Sequence, residues 1–288
     1  MDAKELFIRL HLSSIVGTRT LNHVYIWIKD KQRIPQKREL ETILGLSAAA
    51  TFSFWKKFSS SEFELMVDRN YYHSHIITLF DKEYPPQLRE IYDPPNVLFC
   101  RGDLGLLNKP LILAIVGARQ NSNYAQTVLR VLLPEVISSG IVTLSGLANG
   151  VDSLCHRQTI FNGGKTIAVI GSGLDVFYPK QNRELQQQIA RSGLLLSEYG
   201  LGVQPRKYHF PARNRIIAGL AQTTLVVEAK HHSGSLITAN LALQENRNVL
   251  AVPGPITSTL SVGTNELILA GAKPVLKAQD IIEEFLNT

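Results

Sequence analysis

The sequence predicts an α/β chain: a mostly parallel sheet covered by helices on both faces, preceded by a small helical domain. From Leu111 onward, short apolar runs rich in β-branched residues alternate with helical patterns, a rhythm that builds parallel sheets through crossover helices. Before about residue 110 the apolar residues recur three and four apart instead, which is the period of a helix with one buried face. A length of 288 residues with 44% hydrophobic and 19% charged side chains excludes intrinsic disorder and suits one large domain with a small companion.

Leu6 and Leu10, then Leu21, Val24 and Ile28, then Phe54 and Phe58, and finally Phe63, Met66 and Val67 fall at helical spacing with polar turns between. Residues 1–75 are therefore expected to form the helical domain. Residues 76–109 read as a connector with short strands. His75-Ile76-Ile77-Thr78-Leu79 is extended in character. In Tyr84-Pro85-Pro86 and Asp93-Pro94-Pro95 the prolines lack an N–H and push the preceding residue out of the helical region, so no helix persists there. Residues 110–288 hold the sheet, with strands expected at 111–116, 141–144, 166–170, 194–196, 223–227 and 248–252. Their apolar character is nearly unbroken, as in strands buried on both faces.

Thirty Lys and Arg against 24 Asp and Glu give a net charge of +6, basic without being extreme. The two cysteines, Cys100 and Cys155, show no ligand spacing, so neither a disulfide scaffold nor a zinc site is indicated. The N-terminus, Met1-Asp2-Ala3-Lys4-Glu5, lacks the charge pattern of a secretory signal, and no apolar run approaches the roughly 18 residues of a membrane span. A cytoplasmic protein without a membrane anchor is expected.

Ligands of open α/β sheets bind beyond the carboxyl ends of the strands. Here those ends carry glycines: Gly117, Gly146, Gly171 with Gly173, and Gly254. After the first strand, Gly117-Ala118-Arg119 leads to Ser122, a good N-cap; the turn either offers N–H groups and a guanidinium to a phosphate, or is a simple turn with Arg119 in solvent. After the third strand, Gly171-Ser172-Gly173 opens like a dinucleotide fingerprint, but Val176 stands where the third glycine belongs, so NAD is disfavoured. Phe177, Tyr178 and Lys180 follow, combining aromatic faces and a cation as sequence-tolerant single-strand binders do; the alternative is that one aromatic packs beneath the loop. Residues 206–217 gather Arg206, Lys207, Arg213 and Arg215 with Tyr208 and Phe210, which fits either a polyanion or a solvated face. Glu198 or Glu228 is positioned in sequence to relieve arginines at a helix start. Ser233-Gly234-Ser235 begins a helix, with a serine as cap or as an anion contact.

Catalytic readings fail on spacing. Gly164-Lys165-Thr166 lacks the first glycine of a P-loop, Thr143 replaces the first glycine of a nucleophile elbow around Ser145, and Asp152 and His156 are expected to make a local contact at i, i+4. With no HExxH or paired carboxylates, neither a catalytic nor a metal site is assigned, and the site reads as a binder without cofactor.

Taken together, Gly117-Ala118-Arg119, Ser145-Gly146-Leu147-Ala148-Asn149-Gly150-Val151-Asp152, Gly171-Ser172-Gly173-Leu174-Asp175 with Tyr178-Pro179, Ser197-Glu198-Tyr199, the run from Phe210 to Gly219, Ser233-Gly234-Ser235 and Val252-Pro253-Gly254 resemble the DNA-processing protein A (DprA/Smf) family over about residues 84–272. The resemblance implies an extended Rossmann-like domain that binds single-stranded DNA, protects incoming strands in natural transformation and loads the RecA recombinase. It also implies a SAM-like N-terminal domain, self-association as dimers, and no enzymatic activity. Carried over by residue, the DNA pocket falls on Gly117, Arg119 and Lys180, with Phe177 and Asn182 as additions; Arg213 joins them from the basic segment. Leu243 and Ile268 are surplus aliphatics suited to a homodimer interface, or are ordinary core residues. The winged-helix module of some relatives is not expected after residues 281–286.

Two other readings compete. A phosphoribohydrolase-like enzyme would share the sheet, but Val252-Pro253-Gly254-Pro255 lacks the PGG segment and following glutamate of such enzymes. Duplex binding would rest on residues 14–20, whose helix-hairpin-helix likeness is weaker than a plain helix connection.

Overall fold

The computed structural model describes residues 1–286. The chain divides into two units, one comprising Met1–Tyr84 and Pro95–Phe99, the other Pro85–Pro94 and the chain from Cys100 onward.

The first unit contains α1 (Ala3–Leu12), α2 (Thr18–Lys31), α3 (Lys37–Leu44), α4 (Ala48–Phe58), α5 (Ser61–His73) and strand β1 (His75–Thr78). Asp2, Ser47 and Ser60 cap α1, α4 and α5 by accepting from backbone N–H groups of the first turn, which satisfies donors a helix start otherwise leaves open. Leu6, Leu10, Leu21, Val24, Ile28, Phe54, Phe63 and Val67 are buried as the spacing requires. Helix α3 was not visible in the periodicity, because only Leu40 and Leu44 are buried along it. Its limits are set by polar signals instead, a Gln36/Glu39 capping box and Gly45 in the left-handed region. Residues 13–17 simply join α1 to α2.

In the second unit, Pro86 starts a single helical turn, α6 (Pro86–Arg89); proline is tolerated there because the first N–H groups of a helix have no partner anyway. Strand β2 (Val97–Gly102) leads out of the first unit into the sheet-bearing part of the chain. The sheet strands that follow are β3 (Ile112–Val116), β4 (Val142–Ser145), β5 (Thr166–Ile170), β6 (Leu194–Ser197), β7 (Thr223–Val226), β8 (Asn248–Ala251) and β9 (Lys273–Pro274). They lie in the order β6-β5-β4-β3-β7-β8-β9, every neighbouring pair parallel, with Ala114 opposite Leu144 on one side and Thr224 on the other. The intervening helices are α7 (Asn123–Ser138), α8 (Val151–Phe161), α9 (Arg183–Ser192), α10 (His209–Leu220), α11 (Gly234–Gln244), α12 (Val262–Leu269) and α13 (Ala278–Ile282). Leu113, Ile115, Leu129, Leu133, Leu225, Leu250 and Ile281 form the centre of one core layer. Each fully buried side chain of this size contributes about 1.5–3 kcal/mol relative to exposure.

Strand order positions the site. The chain builds β4, β5 and β6 outward on one side of β3, then returns to lay β7 on the other side. The loops leaving β3 and β7 therefore diverge, and a crevice opens between them at the carboxyl end of the sheet. Residues 85–94 are strapped to α10. Arg247 Nη2 donates to the carbonyls of Gln87 (3.1 Å) and Gly219 (3.4 Å), Arg215 pairs with Asp93, and Gly219 leaves room for Ile91, whose Cγ2 would lie 2.6 Å from a Cβ there.

Candidate nucleic-acid interface

The loops after β3, β4, β5 and β7 share the carboxyl rim of the sheet. The β3–α7 loop, Gly117 to Ser122, is anchored from across that rim. Ser122 caps α7, and its backbone N–H and hydroxyl both donate to the buried Glu228 carboxylate that follows β7, the N–H at 2.9 Å. The protein's own carboxylate thus occupies the positive end of the α7 dipole, where the sequence had suggested a phosphate. Arg119, at the crest of this loop, is exposed.

Arg119 is not loose in solvent. Its guanidinium lies over the Phe210 ring, 5.4 Å from the centroid, and Phe210 packs against Tyr178 at 5.5 Å with 35° between the planes. Arg119, Phe210 and Tyr178 line a narrow slot of about 60 Å³ with Asn149, Pro179 and Arg213. The slot joins the β3, β4 and β5 loops and the start of α10. His209 holds that helix start in place: its Nδ1 lies 3.0 Å from the Gly171 carbonyl oxygen, and its ring stacks on Tyr199 at 3.9 Å. Burial pushes the pKa of His209 down, so it acts as a neutral prop.

Beneath the slot a buried guanidinium and a buried carboxylate lie close enough to feel each other's charge, each held by backbone groups. Arg213, 5% exposed, donates through Nη1 to the Val169 carbonyl at 2.9 Å and faces Asp152, 7% exposed, which accepts from the N–H groups of Gly146 (3.2 Å) and Ala148 (3.3 Å). Burial pushes the Asp152 carboxyl up, while Arg213 and the two N–H groups oppose the shift. The guanidinium lies where a side chain on Gly146 would otherwise be, and a Cβ there would land on Arg213 Nη1. Gly117 is similar: a Cβ would come within 2.6 Å of Val151 Cγ2 at the start of α8. At both positions the room left by glycine is taken by the protein's own side chains.

The sequence-derived candidates fall into three groups. Arg119 and Arg213 line the slot together, and Gly117 lines the larger crevice on its other side with both of them. Lys180 is exposed one residue beyond Pro179, which lines the slot. Phe177 is half-buried under the Arg183 guanidinium at 4.9 Å, and Asn182 is buried, its Nδ2 donating to the carbonyls of Leu147 (3.0 Å) and Ala148 (3.3 Å), so it ties the β4 loop to the β5 loop. Tyr178 was singled out in the sequence beside Phe177 and Lys180, whereas Phe210 was only counted among the aromatics of the basic segment; the proximity of the two rings depends on α10 returning under β5. Leu243 on α11 is half-exposed and Ile268 on α12 is partly buried.

The expected partner of the arginine segment is Glu198, which binds Arg215 through both carboxylate oxygens at 2.9 and 2.7 Å, whereas Glu228 serves α7. The expected Asp152–His156 contact does not form. Ser145 Oγ donates to the Ile115 carbonyl, Asp152 faces the β4 loop, and His156 Nδ1 meets Thr166 Oγ1 at 2.7 Å, with burial pushing its pKa down to about 3. Among the described residues no cluster of His, Cys, Asp and Glu could hold a metal, and no helix is long and apolar enough to cross a membrane.

A family model described as DNA recombination-mediator protein A matches residues 75–286. The chain is 51% identical to DNA processing protein DprA of Streptococcus pneumoniae over 209 residues, 72% of this chain and 73% of that protein. It is 36% identical to Protein Smf of Escherichia coli over 282 residues, 97% and 74% of the two chains. The X-ray structure of the Streptococcus pneumoniae protein superposes with a TM-score of 0.89 at 40% identity, covering 96% of each chain. A Helicobacter pylori DNA processing protein A, described for its single-stranded DNA binding mode, superposes with a TM-score of 0.67 at 34% identity, covering 75% of this chain and 97% of that one.

Proposed function

We propose that this chain, which belongs to the DNA recombination-mediator protein A family, binds single-stranded DNA along the carboxyl rim of its sheet and hands the bound strand to RecA recombinase during natural transformation. The observation that carries this reading is the Arg119–Phe210–Tyr178 stack. It sets a cation and two aromatic rings in one slot, with Lys180 just beyond it and Arg213 beneath. Unpaired bases offer a ring face and a phosphate at every nucleotide, so a strand fits such a surface, whereas a duplex hides its ring faces. Arg206 and Lys207, both exposed near the same loops, extend the positive rim. The binding mode described for the Helicobacter pylori relative supports the assignment.

Titration of a fluorescent oligothymidylate at several salt concentrations tests it. Arg119→Ala and Lys180→Ala should each weaken binding and flatten the dependence of log affinity on log salt by about one counterion. Unchanged affinity and slope in both variants would reject the site. Delivery to RecA should appear as faster filament formation on strands pre-coated with a single-strand binding protein, lost in the same variants.

Self-association belongs to the same proposal. The exposed faces of α11 and α12, with Leu243, Ile268 and the 89% exposed Leu269, supply apolar surface for an isologous contact. Sedimentation of a folded Leu243→Arg variant should give a monomer.

A further inference from the structure

We propose that the crevice between the β3–α7 and β7–α11 loops, adjoining the Arg119 slot, is a receptor for the phosphate monoester of a nucleotide, either the 5′-phosphate at a strand end or a free mononucleotide. The proposal rests on the reading of the rim as a strand-binding surface and extends it to a second pocket. The crevice has a volume of about 540 Å³, within the roughly 300–1,000 Å³ of small-molecule sites, and lies at the point where the strand order reverses.

Three independent features of its lining converge on a phosphate. The first is the start of α11, an 11-residue helix. Ser233 occupies the N-cap with extended backbone but makes no side-chain capping bond, its hydroxyl meeting that of Ser235 at 2.9 Å instead. At α7 the corresponding donors are taken by Ser122 and Glu228; at α11 they open into the crevice. The second is Arg213, buried on the crevice floor with Nε lacking any hydrogen-bond partner and Nη1 alone engaged, by Val169. A buried charged donor left open is costly unless something completes it. The third is Lys230, exposed on the wall and making no ion pair among the described residues. Asp152, the one carboxylate lining the crevice among the described residues, already accepts from the N–H groups of Gly146 and Ala148 and lies in the field of Arg213. Lys230, Arg213 and Arg119 therefore outweigh it. Phe210, Ile217 and Leu260 form an apolar wall against which a sugar or base would rest, which separates a nucleotide from a bare anion.

The test measures binding of thymidine 5′-monophosphate against thymidine, and of 5′-phosphorylated against 5′-hydroxyl oligothymidylate, to the full chain. The monophosphate should bind about tenfold more tightly than the nucleoside, the value of one or two charge-assisted hydrogen bonds. Lys230→Ala and Ser233→Asp should erase that preference. Aspartate is as good an N-cap as serine, so the second variant keeps α11 while placing a carboxylate where the phosphate would sit. Both variants should bind the 5′-hydroxyl strand within about twofold of the parent, since Arg119 and Lys180 are intact. A gain from the 5′-phosphate on the oligonucleotide assigns the site to strand ends; a preference confined to the monophosphate assigns it to free nucleotides. The proposal is overturned if neither phosphate improves binding, if the preference survives in both variants, or if inorganic phosphate displaces the monophosphate at equal concentration. Loss of 5′-hydroxyl strand binding in Arg119→Ala reports on the strand site alone, so the two readings fail separately.

Discussion

Replacing Gly146 with alanine isolates the interaction beneath the slot, because two opposed effects predict opposite signs. Gly146 is not among the glycines with positive φ, so an alanine there suffers no backbone strain and should by itself stabilise the fold by about 0.4–1 kcal/mol through a less mobile unfolded chain. Its Cβ, however, would land on Arg213 Nη1. The guanidinium can leave only by giving up the Val169 carbonyl and its place beside Asp152, a carboxylate that is 7% exposed. Giving up that charged hydrogen bond costs about 1.5–3 kcal/mol, more than the conformational gain. A net loss of about 0.5–2.5 kcal/mol is expected, read as a lower midpoint in equilibrium urea unfolding with an unchanged slope. Oligothymidylate affinity should fall with it, since Arg213 lines the slot. In an Arg213→Met background the added methyl meets a flexible thioether, so the alanine should cost less than about 1 kcal/mol there. A Gly146→Ala variant as stable as the parent, or more so, would refute the picture of Arg213 locked over Gly146.

Four further outcomes follow from the same geometry. Ser122→Ala removes both the α7 cap and a partner of the buried Glu228, and should cost about 1–2 kcal/mol in urea unfolding; a loss below about 0.5 kcal/mol would contradict the anchoring role of this pair. Phe210→Ala takes away the ring beneath Arg119 and beside Tyr178, and should weaken single-strand binding by about 1–3 kcal/mol, or roughly 5- to 150-fold, in fluorescence titration. Asn182→Ala releases the tie between the β4 and β5 loops, which faster amide exchange at Leu147 and Ala148 should reveal; equal exchange in both proteins would count against it. His156, held near a pKa of about 3 by burial and then by the Arg213 charge, takes up its proton in the unfolded chain from about pH 6.5 downward but in the folded one only near 3. The unfolded state therefore binds more protons in this window, and stability falls as the pH drops, by up to about 1.4 kcal/mol per unit. His156→Gln removes that component, so the stability difference between parent and variant should shift steadily in the variant's favour from pH 6.5 to 4; a difference independent of pH would refute the burial of a neutral imidazole.

How much of this could be read from the residues depended on whether the signal was local. The strands at 112–116, 166–170 and 248–251 were legible because a doubly buried strand is nearly all apolar, with only Thr166 and Asn248 at their first positions polar, and their order along the chain with helical segments between them implied a parallel sheet. The helices α1, α2, α4 and α5 were legible from the three-and-four spacing of residues that are buried in the fold. Helix α3 was not, since two buried leucines in eight residues leave little period to detect. The prolines of the strap at residues 85–94 were read as excluding helix, yet Pro86 opens the single turn α6, since a proline at a helix start forfeits no hydrogen bond. The strap's fastening by Arg247 and Asp93 spans more than 120 residues and leaves no mark in any local window.

The glycines mark the point where sequence and structure diverge most usefully. A glycine at a strand end says that something must approach the backbone closely, but not what. At Gly146 the approaching group is the guanidinium of Arg213, and at Gly117 it is the Val151 side chain, so in both places the chain fills its own vacancy. The motif residues are consequently not all contacts for a ligand. Some exist to seat the arginine and the loops that face one. Arg213 sits under the slot because residue 146 has no side chain, Arg119 is held over Phe210 because His209 fixes the helix start beneath the Gly171 carbonyl, and the β5 loop keeps its distance from the β4 loop through Asn182. A substitution at any of these supporting positions should therefore impair strand binding without touching the strand. Its effect should appear in affinity while the salt slope stays nearly constant, whereas loss of Arg119 or Lys180 should change both.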